Sequence, residues 1–232
     1  MKSRLLLTTL FTLTVLLTTR ADDIGTAPTN KAPTVVACVG DSITQGVGVK
    51  DPKKDAWPAQ LARLLGEGWD VRNFGVSGTT LMQKGDRPYQ KRPQFQAALD
   101  AKPDVVIIAL GTNDSKPQNI DTSPDDFLPS HRDLISKFRA ANPNARIYVC
   151  LPPPAFPELF GIRESVISER IIPLIRQVAR EEKLEVIDLH TALSGRADCF
   201  PDKVHPNEAG AALIAETIHR ALTAEKTRSP AS

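Results

Sequence analysis

Beyond residue 33 the chain carries short apolar runs, each ending against glycine or polar residues: 34–39 (TVVACV), 70–75 (DVRNFG), 104–110 (DVVIIAL), 146–151 (RIYVCL) and 184–189 (LEVIDL). Most are nearly continuous and rich in β-branched residues rather than alternating with polar ones, which predicts strands covered on both faces. Between them the apolar spacing turns helical. Residues 56–65 place Leu61, Leu64 and Leu65 toward one side, and 127–140 do the same with Leu134, Ile135 and Phe138. A last helix is predicted from Asn207 to about Leu222, carrying Leu213, Ile214, Ile218, Ala221 and Leu222. Residues 163–182 also read as helix, broken or restarted at Pro173, whose missing N–H interrupts the ladder. Strand and helix in alternation imply an α/β protein with a parallel sheet between two helical layers, joined by right-handed crossovers.

The first 33 residues follow another pattern. Lys2 and Arg4 precede the apolar stretch Leu5–Leu17, and small residues stand at Thr19 and Ala21. This is the grammar of a signal peptide cleaved near Ala21, with an apolar core too short to span a bilayer comfortably. Residues 22–33 are polar and aperiodic and read as a flexible mature N-terminus. A single domain is expected over 34–225, with a flexible tail over 226–232. Losing residues 1–21 removes Lys2, Arg4 and Arg20 and no acid, so the net charge falls from +2 to −1, with 26 basic against 27 acidic residues. No basic run remains to suggest nucleic acid or an anionic membrane surface. No membrane segment is expected after cleavage, and the location expected is secreted or periplasmic. The cysteines, Cys38, Cys150 and Cys199, are odd in number and stand at no metal-ligand spacing.

The chemistry gathers where the predicted strands stop. The first ends at Gly40-Asp41-Ser42, the second at Gly75–Thr80 (GVSGTT) and the third at Gly111-Thr112-Asn113-Asp114. Ligands of open parallel sheets bind at the carboxyl ends of the strands, so these clusters should share one crevice. Near the C-terminus, Asp202 and His205 stand three apart just before the final helix. A tight turn there lets the carboxylate accept from the imidazole Nδ1–H while Nε2 faces outward. Taken alone, Ser42 is as good a turn residue as a nucleophile. With His205 as base and Asp202 as its partner it becomes a candidate nucleophile, and the backbone N–H groups of Ser42 and Gly78 with the Asn113 amide become candidate oxyanion donors.

At these residues the sequence resembles the SGNH hydrolases, also called GDSL lipases/esterases. GDSI (Gly40–Ile43), NFGVSG (Asn73–Gly78), GTND (Gly111–Asp114) and DKVHP (Asp202–Pro206) are similar to four of that family's blocks, in order and suitably separated. The resemblance implies a flavodoxin-like five-stranded sheet in order 2-1-3-4-5. It also implies Ser42, Asp202 and His205 as catalytic residues, Ser42, Gly78 and Asn113 as the oxyanion hole, and no metal or organic cofactor. Ile43 stands where the family name has leucine. The wider stretches GVSGTTLMQKGDRPY, PPPAFPELFGI and VIDLH are similar to secreted bacterial sialate O-acetylesterase-like carbohydrate esterases, which implies a glycan or small-molecule ester as substrate and acetyl as the acyl group. A lysophospholipase or thioesterase of the same family is the alternative enzyme. A catalytically inactive glycan-binding module is the alternative outside catalysis, although two Trp and two Tyr offer few stacking platforms.

The remaining candidates are weaker. Ser77 lies outside any G-x-S-x-G elbow and reads as a turn residue beside Gly78. Asp41 and Asp114 are expected to accept backbone hydrogen bonds. His190 reads as structural or rim, and His131 and His219 as residues of solvated helix faces. Two Pro-rich loops, 84–93 and 151–161, should overhang the crevice, making Arg87, Tyr89, Phe156 and Phe160 candidate substrate contacts. The grouping Asp198, Cys199, Asp202 and His205 matches no common metal pattern. In sheet order 2-1-3-4-5 a strand lies between those of Cys38 and Cys150, about two strand spacings of ~4.8 Å, which disfavours a disulfide.

Overall fold

The computed structural model describes residues 32–156 and 160–224. The expected leader at 1–21, most of the stretch to 33 and the tail at 226–232 lie outside the described residues. Along the chain run β1 (Thr34–Gly40), the short helices α1 (Ser42–Gln45) and α2 (Pro52–Asp55), α3 (Trp57–Leu65) and β2 (Trp69–Asn73). Then come α4 (Pro93–Asp100), β3 (Val105–Ala109), α5 (Phe127–Ala141), β4 (Arg146–Leu151), α6 (Glu164–Val166) and α7 (Ile172–Glu182). The last elements are β5 (Glu185–Asp188), α8 (Leu189–Ala192) and α9 (Glu208–Ala224). The strands form one parallel sheet in the order β2-β1-β3-β4-β5, so direction switches between β1 and β3.

Strand side chains alternate between faces, and here both faces are dry, which is why the runs read as continuous apolar stretches. Val36 and Cys38 of β1, Val105 and Ile107 of β3, and Tyr148 and Cys150 of β4 pack with Trp57 and Leu61 of α3 and Ile214, Ile218 and Leu222 of α9. Their neighbours Ala37, Val39, Val106, Ile108, Val149 and Leu151 pack the other way, against α4, α5 and α7 through Phe95, Leu134, Phe138, Ile175 and Val178. Each fully buried Val, Leu, Ile or Phe among them contributes on the order of 1.5–3 kcal/mol.

Several local expectations change. Leu64 is 44% exposed although it shares the face of Trp57 and Leu61: burial along α3 stops at Leu61, and Leu64 stands in the helix's last turn. The segment 163–182 is three pieces. A single wide π-type turn, Ile167–Ile171, separates α6 from α7, and Pro173 sits in the first turn of α7, where its missing N–H does no harm. His131 is buried rather than on a solvated face, edge-on to Phe127 with ring centroids 6.0 Å apart. Burial, then the neighbouring Arg132 charge, pushes its pKa down to about 3, so the ring is neutral. The three cysteines are free buried thiols. Cys38 pairs across to Ile107, which pairs across to Tyr148, so a full strand and a two-residue offset separate Cys38 from Cys150.

Candidate active site

The crevice forms at the carboxyl ends of β1 and β3. β1 ends at Gly40, where the chain turns so sharply into α1 that a Cβ on Gly40 would lie 2.0 Å from Thr44 Oγ1 and 2.8 Å from the Ala109 carbonyl oxygen. Asp41 caps α1, its Oδ1 accepting from the Ile43 N–H at 3.0 Å. That turn sets Ser42 as the first residue of α1, 7% exposed, with its hydroxyl toward the crevice. Trp57 Nε1–H donates to Thr44 Oγ1 at 3.3 Å, tying α1 to the buried start of α3.

The turn before α9 comes to meet it. Asp202 Oδ1 accepts from the N–H groups of Val204 (3.0 Å) and His205 (2.7 Å), closing the turn, and Oδ2 lies 2.6 Å from His205 Nδ1. His205 Nε2 lies 2.9 Å from Ser42 Oγ. An ionised carboxylate only accepts, so Nδ1 carries the proton and Nε2 presents its lone pair to the serine. Burial alone would raise the Asp202 pKa, but the hydrogen bonds from the His205 N–H and imidazole and the Val204 N–H outweigh it and hold it below the usual carboxylate value. Gly48 backs the histidine: a Cβ there would lie 2.7 Å from the Pro206 carbonyl oxygen and 2.9 Å from His205 Cβ. The sequence signal for this glycine was its place in the GVG that follows the serine turn.

Gly78 lies in the loop after β2, at φ +75°, a left-handed conformation that favours glycine. Among the described residues neither its N–H nor that of Ser42 has an acceptor within the protein. The loop is anchored from below by Asp114, whose two carboxylate oxygens accept from the N–H groups of Met82 (2.8 Å) and Leu81 (3.0 Å). Asn113, buried at the end of β3, donates from Nδ2 to the Thr79 carbonyl at 3.1 Å, with Asp41 Oδ2 3.4 Å from the same nitrogen. The second contact is long for a hydrogen bond, so that N–H is the more weakly held of the two.

Two buried carboxylates therefore floor the site. Burial raises the Asp41 pKa to about 6, opposed by the Ile43 N–H and the His205 charge. Burial raises that of Asp114 to about 7, opposed by the Leu81 and Met82 N–H groups and reinforced by Asp41. Neither is a hydrogen-bond partner of the serine hydroxyl, and both accept from backbone N–H groups, Asp41 from Ile43 and Asp114 from Leu81 and Met82.

The four loop candidates separate. Arg87 is exposed beside Gly78, and Phe160, 60% exposed, has its ring centroid 6.2 Å from that of His205. Tyr89 does not line the crevice: it is fully buried, its hydroxyl donating to the Phe74 carbonyl at 2.9 Å. Phe156 is likewise turned inward onto Phe200, with ring centroids 5.1 Å apart, and its N–H donates to the Lys203 carbonyl. His190 is a brace. Its Nε2 is 2.7 Å from Glu164 Oε1, while Glu164 Oε2 accepts from the Ala155 N–H in the Pro-rich loop, a partnership 26 residues apart that spacing could not reveal.

Residues 38–213 match the GDSL-like lipase/acylhydrolase family. An acetylxylan esterase of Xylanibacter ruminicola is 41% identical over 204 residues, 81% of this chain but 42% of that protein, so the chain spans about two fifths of that relative's length. Among solved structures, the native aryl esterase of M. smegmatis superposes with a TM-score of 0.67 at 21% identity, covering 82% of this chain and 99% of that one. The carbohydrate acetylesterase Est24 of Sinorhizobium meliloti gives 0.60 at 23% identity with the same coverage. Both share the fold. The chain belongs to the GDSL-like lipase/acylhydrolase family, a family of ester hydrolases.

Proposed function

We propose that the protein is a serine esterase that removes short acyl groups, acetyl above all, from carbohydrates through an acyl-enzyme. The observation that carries this is the continuous chain from Asp202 through His205 to Ser42 Oγ at hydrogen-bonding distances. The family match and the 41% identity to an acetylxylan esterase support ester hydrolysis and, more narrowly, an acetylated sugar.

In this reading His205 Nε2 takes the Ser42 proton as Oγ attacks the ester carbonyl, and the carbonyl π pair moves onto oxygen. The N–H groups of Ser42 and Gly78 and one Asn113 amide N–H receive that oxyanion. Collapse breaks the bond to the sugar oxygen, which leaves with the proton from Nε2. Water, deprotonated by the same nitrogen, then attacks the acyl-serine, and the carboxylic acid departs as Ser42 regains its proton. Asp202 holds the imidazole in the required tautomer and stabilises the imidazolium between steps. Each residue acts directly, so the scheme calls on no cofactor.

The leader-like residues 1–21 support secretion or export to the periplasm. Among the described residues no helix is long and apolar enough to cross a membrane. The test is turnover of p-nitrophenyl acetate, butyrate and octanoate, and of an acetylated glycan panel, by the protein and its Ser42→Ala variant. Acetyl-preferring turnover that falls at least about 10³-fold in the variant is expected. Rates that climb with acyl length would assign a lysophospholipase- or thioesterase-like substrate. Equal rates in both proteins would remove Ser42 from the mechanism.

A further inference from the structure

Next to the oxyanion donors the surface opens into a cleft of about 550 Å³ bounded by Gly78, Asp86, Arg87, Arg92 and Lys116. Three cations from two segments, Arg87 and Arg92 in the loop after β2 and Lys116 after β3, meet there against a single carboxylate. Asp86 is already engaged, accepting from Gln118 Nε2 at 3.0 Å and Asn119 Nδ2 at 3.2 Å. Arg92 gives its Nε–H to the Pro88 carbonyl at 3.2 Å, which aims it. Among the described residues neither the Arg87 guanidinium nor the Lys116 ammonium has a carboxylate or hydrogen-bond partner. Unpartnered cations held close together repel one another, and an anion bound between them removes that cost.

The cations are also placed on the path of the reaction. Arg87 Cδ would lie 3.6 Å from a Cβ on Gly78, one of the oxyanion donors of the esterase reading. The Lys116 stem passes 3.9 Å from the corresponding point on Gly161, the neighbour of Phe160, whose ring faces His205. A sugar with its ester at Ser42 thus meets the Phe160 ring on the histidine side and cations on the Gly78 side. We propose that this cleft binds an anionic group, a carboxylate or a sulfate, on the sugar chain that bears the ester, so that the preferred substrate is an acylated acidic glycan. The placement rests on the esterase reading of Ser42. Guanidinium planes suit bidentate oxyanions, and the lysine adds a mobile point charge.

The test compares kcat/KM on three chemically O-acetylated oligosaccharides: a neutral xylo-oligosaccharide, an oligogalacturonide and a carrageenan oligosaccharide. p-Nitrophenyl acetate serves as the anion-free ester. At low ionic strength the anionic-to-neutral ratio should exceed about tenfold and shrink as salt is raised, since exposed charges are screened. Whichever of the carboxylate and sulfate sugars carries the ratio identifies the anion. Arg87→Gln and Lys116→Gln should each cut that ratio severalfold, whereas Lys91→Gln, an exposed cation outside the cleft, should leave it unchanged. A ratio near one for both acidic sugars, or one indifferent to the two cleft variants, overturns the proposal even if Ser42-dependent turnover of p-nitrophenyl acetate is intact. If that turnover is missing, the esterase reading falls separately. Calorimetric titration with the unacetylated acidic oligosaccharides then judges the cleft alone: salt-sensitive binding lost in Arg87→Gln upholds it, and no binding refutes it.

Discussion

Replacing Asp202 by Asn changes one atom of the carboxylate and should disable the site while leaving its shape. Oδ1 already receives two backbone N–H groups, from Val204 and His205, and Oδ2 receives the imidazole Nδ1–H at 2.6 Å. An asparagine can keep its oxygen on the two backbone donors or turn it to the histidine, not both. Turning it would aim an NH₂ at two N–H groups and leave both without an acceptor, at about 1–3 kcal/mol each. The amide nitrogen therefore faces Nδ1 and donates to it, which moves the imidazole proton to Nε2. That nitrogen, 2.9 Å from Ser42 Oγ, can then no longer take the serine proton. A wrong-tautomer preference of this size lowers kcat by about 10³–10⁴, or roughly 4–5.5 kcal/mol of barrier. Stability should scarcely change, because both backbone bonds survive and the Asp202 side chain is 40% exposed. Asp202→Ala removes those bonds too and should lower the melting temperature as well as kcat. The assay is kcat and KM on p-nitrophenyl acetate beside a thermal melt of parent, Asn and Ala variants. An Asn variant that keeps more than a tenth of kcat, or whose loss appears in KM alone, would refute the tautomer argument.

Two further perturbations probe the frame of the site. Asp114 has a folded pKa of about 7 against 3.8 for the free group, so the folded protein holds a proton there that the unfolded chain releases first. Its contribution to stability is full below the unfolded value and is lost as pH rises through about 7. Asp114→Asn does not titrate and serves only one of the two loop N–H groups well, so it should melt below the parent at acidic pH, with the gap narrowing toward pH 8; a gap constant with pH would contradict the assignment. Gly40→Ala puts a Cβ 2.0 Å from Thr44 Oγ1, so the start of α1 must shift. The expected cost is at least about 1–3 kcal/mol, with a fall in kcat as Ser42 is displaced. Melting and turnover equal to the parent's would mean that the turn is looser than described.

The linear sequence determined those features whose cause is local. Apolar runs such as 104–110 become strands covered on both faces, because nothing polar interrupts them, and the helix restarts at Pro173, which stands in the first turn of α7 where no N–H is needed. Small and polar residues at strand ends pointed to one crevice, and the Asp202–His205 spacing suited a turn. Helix α4 escaped that reading, since its eight residues bury only Phe95 and Ala98 and leave little periodicity.

What the tertiary structure alone decided is which side chains meet across long separations and which are shut away. Ser42 and His205 lie 163 positions apart. Arg87, Arg92 and Lys116 form a basic cleft although the sequence holds no basic run, because the loop after β2 folds back on the segment after β3. Tyr89 and His131 carry polar groups that a sequence reader assigns to the surface, yet both are buried. Composition records whether a group can interact with water; only packing determines whether water reaches it.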